Sequence, residues 1–156
     1  KYDEEILDVR RYYLSILPSN TEVSIEFDDG NPTIFHVTKN GKQDSNWGLN
    51  LNSQKTDSLL QELGWTNNTL RHLNQELIEA NCIAIKGRNI ITLGWLRSGM
   101  GMYFYKIFEH PLSGSKIQQY NDNCSYIFYK DNIVFEYGSG AIGSFCFPYL
   151  ASDYHK

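Results

Sequence analysis

Apolar residues recur along this chain with two periods, and the switches between them divide it into elements. Ile6, Val9, Tyr13, Ile16 and Leu17 fall at i, i+3, i+7, i+10 and i+11, one stripe of a helix over about 3–17. Asp3, Glu4 and Glu5 stand in its first turn, where negative charge suits the helix dipole. Pro18 drives Leu17 out of the helical region and ends it. Val23, Ile25 and Phe27 then alternate with polar neighbours, which predicts a half-buried strand. The cluster DDGNP turns into a second strand, TIFHVT. Asn40-Gly41 signals a two-residue hairpin, because both central positions of a type I′ turn need positive φ. Beyond it, Trp47, Leu49 and Leu51 alternate and predict a third strand, so the three form a meander with one wet face.

Helical spacing returns twice. Leu59, Leu60 and Leu63 mark a helix over about 54–63 that closes at Gly64. Leu70, Leu73, Leu77 and Ile78 mark another over about 67–80. With Thr66 as its N-cap, Trp65 and Leu70 occupy the hydrophobic-staple positions. A second set of strands follows. CIAIK turns at Gly87-Arg88 into NIITLGWL, and Gly99-Met100 reads as a type II′ loop that faces Ser98 with Gly101 and Arg97 with Met102. Continuing that register sets Trp95 against Phe104 and lays Tyr105 over the bare backbone of Gly94. A short helix or turn is expected at about 114–120. A last hairpin joins SYIFY to IVFEY through Asp131-Asn132, with Phe128 facing Phe135, Tyr126 facing Tyr137 and Ile127 facing Glu136.

These elements predict an α+β fold with a largely antiparallel sheet. Two meanders and a C-terminal hairpin build the sheet; an N-terminal helix and a central helix pair pack on one face of it. The length, 156 residues, suits a single globular domain over 1–156. A helix followed by a three-strand meander occurs twice, over about 3–51 and 67–108, which suggests a structural duplication.

Composition narrows the function classes. The hydrophobic share is 41%, that of a chain with a real core. Net charge is −4 with a pI of about 5.5 and the basic residues are scattered, which argues against nucleic acid as a partner. No apolar run approaches the roughly 18–20 residues of a membrane span. Scarce Ala with abundant Asn, Tyr and Ile suggests AT-rich codons and a bacterium of low G+C content. The opening, KYDEEILDV, carries no initiator Met: either the chain is a domain cut from a longer one or a targeting segment has been removed, and removal of a signal peptide or lipoprotein leader is the expectation. That places the chain extracytoplasmically, in the periplasm or at the cell surface, with room for a lipid anchor upstream of residue 1. The 3 cysteines allow a Cys124–Cys146 bridge with Cys82 left free, or three buried thiols.

Candidate chemistry is sparse. Gly138, Gly140 and Gly143 match G-x-G-x-x-G, but the fingerprint needs a helix after the glycines and an acidic residue about 20 positions on. SFCFPYLASDYHK supplies neither, so the stretch is expected to be a tight turn and no dinucleotide or other cofactor is expected. His36, His72, His110 and His155 make no metal-ligand spacing, and no metal is expected. Cys124 or Cys146 with His110 can be arranged as a thiolate–imidazole pair, yet no catalytic residue is assigned.

Glu136 shares a face with Ile127, Tyr129 and Val134 by alternation, with Arg97 as a partner by residue type. Tyr103, Tyr105, Tyr126 and Tyr137 sit on neighbouring strands. Arg97, Tyr103, Tyr105, Tyr126, Glu136 and Tyr137 are therefore the candidate binding residues. The expected function is a non-enzymatic protein-binding module of inhibitor or immunity type. The alternatives are a carbohydrate-active hydrolase using Glu136 and a glycan-binding domain using surface Tyr and Trp.

Overall fold

The first helical stripe forms α1 (Asp3–Ile16) and buries Ile6, Val9 and Tyr13. It leads into β1 (Thr21–Asp28) and β2 (Asn31–Lys39). The computed structural model of the chain describes residues 3–139 and 143–147. The chain divides into two units, Lys1–Arg88 and Asn89–Lys156. Among the described residues the named strand pairs are antiparallel and the helices number four, an α+β fold.

In the first unit, β2 turns at Asn40-Gly41, both with positive φ (52° and 80°), into β3 (Lys42–Asp44). The helices α2 (Gln54–Leu63) and α3 (Asn67–Glu79) follow, and then β4 (Ala84–Gly87). The strand order is β3-β2-β1-β4. Val23, Ile25, Phe35, Val37 and Ile85 from the strands are buried with Leu59, Leu70, Leu73 and Leu77 from the helices, and α1 packs on α3. Three side chains tie the elements together. Tyr13 Oη donates to Gly87 O at 2.6 Å and accepts from Val23 N at 3.2 Å. Trp65 Nε1 donates to Ile16 O at 2.8 Å. Arg88 donates to Pro18 O and Thr21 O.

Two expectations for this unit need correction. The third strand stops at Asp44; Trp47 makes one isolated bridge to Ile34, and Leu49 and Leu51 lie in no strand. Asn46 interrupts the ladder, because its side-chain amide donates to Phe35 O and its backbone N–H to His36 Nδ1. Hydrogen bonds from Phe35 N to Asn46 O and from Gly48 N to Thr33 O carry the pairing on briefly, and Gly48 takes φ 69°. Ile78 is 57% exposed: it flanks the buried stripe of α3 without joining it.

In the second unit, β5 (Ile91–Ser98) and β6 (Gly101–Ile107) form a hairpin. α4 (Gly114–Asn121) follows, capped by Ser113, whose Oγ accepts from Lys116 N. The chain then enters β7 (Tyr126–Lys130), β8 (Ile133–Ser139) and the two-residue β9 (Gly143–Ser144). The order is β5-β6-β8-β7, with β9 on β8. The postulated repeat does not match the two units, since α3 and β4 belong to the first and β5 and β6 to the second.

Both registers predicted here shift by one residue part-way along. At the β5–β6 tip, Ser98 does pair with Gly101 and Arg97 with Met102. A bulge at Trp95 then sets Gly94 against Phe104 and Leu93 against Tyr105. A second bulge, at Tyr129, pairs Tyr126 with Glu136, Ile127 with Phe135 and Phe128 with Val134. A bulge inserts one unpaired residue, so every later pairing slips by one.

Candidate functional site

The corrected registers decide which candidate residues meet. Along β6, alternate side chains stand on opposite faces. Tyr103 pairs with Tyr137 and Tyr105 with Phe135, so these four share one face. On it the rings form a continuous ladder. Trp95 stacks on Tyr103 at 5.2 Å between centroids and reaches Tyr105 at 5.8 Å. Tyr103 stacks on Tyr137 at 4.3 Å, and Tyr137 on Phe145 at 5.1 Å. Phe135 sits 5.5 Å from Tyr105 and 4.9 Å from Tyr129. The bulge lets Trp95 join, since it frees that residue from the strict alternation of β5. Tyr103, Tyr105, Phe135 and Tyr137 are half-buried, and Trp95 Nε1 is buried with no hydrogen-bond partner.

A glycine makes this ladder close-packed. A Cβ on Gly101 would stand 2.7 Å from Tyr137 Cε1 and 3.1 Å from the Phe145 ring. Tyr137 lies across this bare backbone, and its Oη meets Ser98 Oγ at 3.2 Å. The glycine covered by a tyrosine is therefore Gly101, not Gly94 as the sequence suggested. At the hairpin tip, Leu96 and Met100 are 50% and 66% exposed, and Arg97 is exposed between them.

Tyr126 and Glu136 lie on the opposite face. There Glu136 shares its row with Phe104 and Tyr126, not with Ile127. Lys106 Nζ approaches Glu136 Oε2 at 3.8 Å and lies 5.4 Å from the Tyr126 ring centre. Tyr120, on α4, packs edge-on against Tyr126 at 5.0 Å. Burial, then the Glu136 charge, raises both phenols above their ordinary range. Arg97 pairs with Met102 and falls on this face by register. The candidate set thus divides: Tyr103, Tyr105 and Tyr137 form one surface, while Tyr126 and Glu136 belong to a polar–aromatic cluster behind it.

Cys124 and Cys146 form a disulfide, with Cα atoms 4.7 Å apart, which leaves neither sulfur available as a thiolate beside His110. Cys82 is a free, buried thiol, and burial pushes it up to about 12. It carries no thiolate at neutral pH and is no nucleophile. Gly138 and Gly143 stand on the antiparallel pair β8 and β9, with Gly138 opposite Ser144 and Ser139 opposite Gly143. Gly140 lies outside the described residues. Among the described residues, no group of three His, Cys, Asp or Glu is arranged to hold a metal, and no helix is long and apolar enough to cross a membrane.

Two clefts of the first unit, of about 510 and 460 Å³, are lined around Asp57, Gln61 and Trp65 and around Glu22, Thr38 and Arg88. Neither contains a candidate residue. Sequence reasoning missed Trp95, Lys106, Phe145 and Phe147. The pattern Phe145-Cys146-Phe147 carried the signal for the last two, since alternation about a bridged cysteine puts both rings on one side. No family model, curated protein or solved structure matches the chain.

Proposed function

We propose that the chain is a non-enzymatic protein-binding module of inhibitor or immunity type, with the aromatic ladder and the β5–β6 tip as its contact surface. The ladder itself carries the reading. Trp95, Tyr103 and Tyr137 are stacked and half-buried, and they run into exposed Leu96, opposite Tyr103, and exposed Met100 at the tip. Trp, Tyr and Arg dominate the hot spots of protein interfaces, and rings already held by their neighbours lose little entropy on binding. The stacking also favours a protein over a glycan. A sugar needs ring faces turned outward, whereas these rings spend their faces on one another. For a hydrolase, Glu136 would need a cleft and a second carboxylate; its close neighbours are instead Lys106 and two tyrosines. An exposed disulfide supports an extracytoplasmic, oxidising location, as the composition supports a bacterial source. A signal peptide or lipobox encoded upstream of Lys1 is the test of that part.

The binding reading is tested with a photo-crosslinking residue placed at Met100 or, as control, at Ile78 on α3. One defined protein should be trapped from position 100 and not from 78. With that protein purified, Tyr103→Ala and Leu96→Asp should each weaken affinity by about tenfold or more. Unchanged affinity in both variants rejects the surface. Cleavage of an oligosaccharide that disappears in Glu136→Gln would put the hydrolase in its place.

A further inference from the structure

The last described stretch, residues 143–147, runs back over the ladder as a strap. Its backbone joins the sheet at two positions, opposite Gly138 and Ser139, and Phe147 N donates to Cys124 O at 2.8 Å. Phe145 stacks on Tyr137, and Phe147 lies 5.8 Å from Tyr103 and 5.9 Å from Tyr137. Among the described residues, two paired positions and one further hydrogen bond hold its backbone, and the Cys124–Cys146 bridge adds a covalent anchor at its centre. Both cysteines are exposed, whereas Phe145 and Phe147 are half-buried. The anchor is thus open to a solvent thiol while the cover it holds is not.

We propose that residues 143–147 are a redox-released cover of the aromatic ladder. With the disulfide closed, Phe145 and Phe147 cap Tyr137 and Tyr103; with it reduced, the strap lifts and exposes both rings and the Gly101 backbone as docking surface. This regulates the binding surface proposed above and rests on that reading for its purpose. The releasing reaction is thiol–disulfide exchange with a dithiol. One thiolate of the dithiol attacks Cys146 Sγ, the Sγ–Sγ bond breaks, and Cys124 leaves as a thiolate that takes a proton from water. The second thiolate attacks the mixed disulfide, closes the reductant's own disulfide and frees Cys146, which is protonated in turn. Two electrons pass from the dithiol to the cystine.

Hydroxyl-radical footprinting read by mass spectrometry tests this on the whole chain without a partner. The disulfide form is compared with Cys124→Ser/Cys146→Ser, which opens the strap without a radical-quenching reductant. Labelling of Tyr103 and Tyr137 should rise about threefold or more through local opening. Tyr12 in the first unit and Tyr126 on the opposite face should stay constant. Phe145→Ala/Phe147→Ala, with the bridge intact, should raise the same two tyrosines. Unchanged labelling in either variant overturns the proposal. So does an equal rise at Tyr12 and Tyr126 in the serine variant, which would mean that the bridge holds the unit together. A strap that opens over a surface that binds nothing rejects the proposed function alone; a strap that stays shut over a working interface rejects this inference alone.

Discussion

Gly101 shows how one missing side chain organises the ladder. Its absent Cβ lets Tyr137 cross to Ser98 and lets Phe145 lie alongside. Gly101→Ala sets a methyl 2.7 Å from a ring that is stacked on both faces, so the ring has nowhere easy to go. Overpacking of this kind costs about 1–3 kcal/mol, to be read from urea midpoints; a loss below a few tenths would show that the ring swings aside freely. His36 makes a second argument at this scale. Its Nδ1 accepts from Asn46 N at 2.9 Å, which requires the neutral ring with its proton on Nε2. Burial holds its pKa below the ordinary range, against the opposing effects of the Phe35 backbone and the Asp44 charge. The unfolded chain therefore takes up a proton that the folded chain refuses. Stability is complete above about pH 6.5 and declines as pH falls through that value toward the folded pKa. Denaturant midpoints between about pH 7.5 and 5.5 should slope downward in the parent and flatten in His36→Asn, which keeps an acceptor but does not titrate. Equal slopes would remove His36 as the cause.

At the scale of elements, the helices were the more legible part. Spacing located α1, α2 and α3, and the cap of α3 was readable because Thr66 precedes the apolar stripe. In the structure Thr66 Oγ1 accepts from Thr69 N, and Thr69 Oγ1 accepts from Thr66 N, each at 3.2 Å. Thr66→Ala should cost about 1 kcal/mol. Ile78→Ser, on the wet side of the same helix, should stay within about 0.5 kcal/mol, and Leu77→Ala should cost about 2–5 kcal/mol. Urea melts of the three that failed to rank in this order would show the face of α3 to be misassigned. The strands were legible in kind but not in register. Alternation reports which residues point the same way only while the count is unbroken, and nothing in GWL or FYK marks Trp95 or Tyr129 as the extra residue. Those two bulges decide the candidate site. The bulge at Tyr129 moves Tyr126 to the Glu136 face, away from Tyr103 and Tyr137, and the bulge at Trp95 brings that residue into the ladder.

For the whole molecule, composition and periodicity together carried the α+β class, while the link between Cys124 and Cys146 depended on which residues the fold brings within reach. Neither cysteine has a sequence signal for pairing beyond its place beside the last hairpin. The structure joins them across a separation of 22 residues and leaves Cys82 buried in the first unit. Thiol titration in denaturant should therefore count one reactive thiol in the oxidised chain and all 3 cysteines after reduction; three without reductant would remove the bridge, and with it both the strap and the support for an oxidising compartment. The loop closed by the bridge also sets how much it stabilises. Tying the unfolded chain over 22 residues removes entropy worth about 3 kcal/mol. Reduction should lower the free energy of unfolding by up to that amount, because part of the stabilisation is already returned if the strap lifts in the folded state. A loss near the full value with no rise in Tyr103 and Tyr137 labelling means a bridge that acts on the unfolded chain alone. A smaller loss accompanied by that rise means that the folded chain itself relaxes when the bond is cut, which is the behaviour a releasable cover requires.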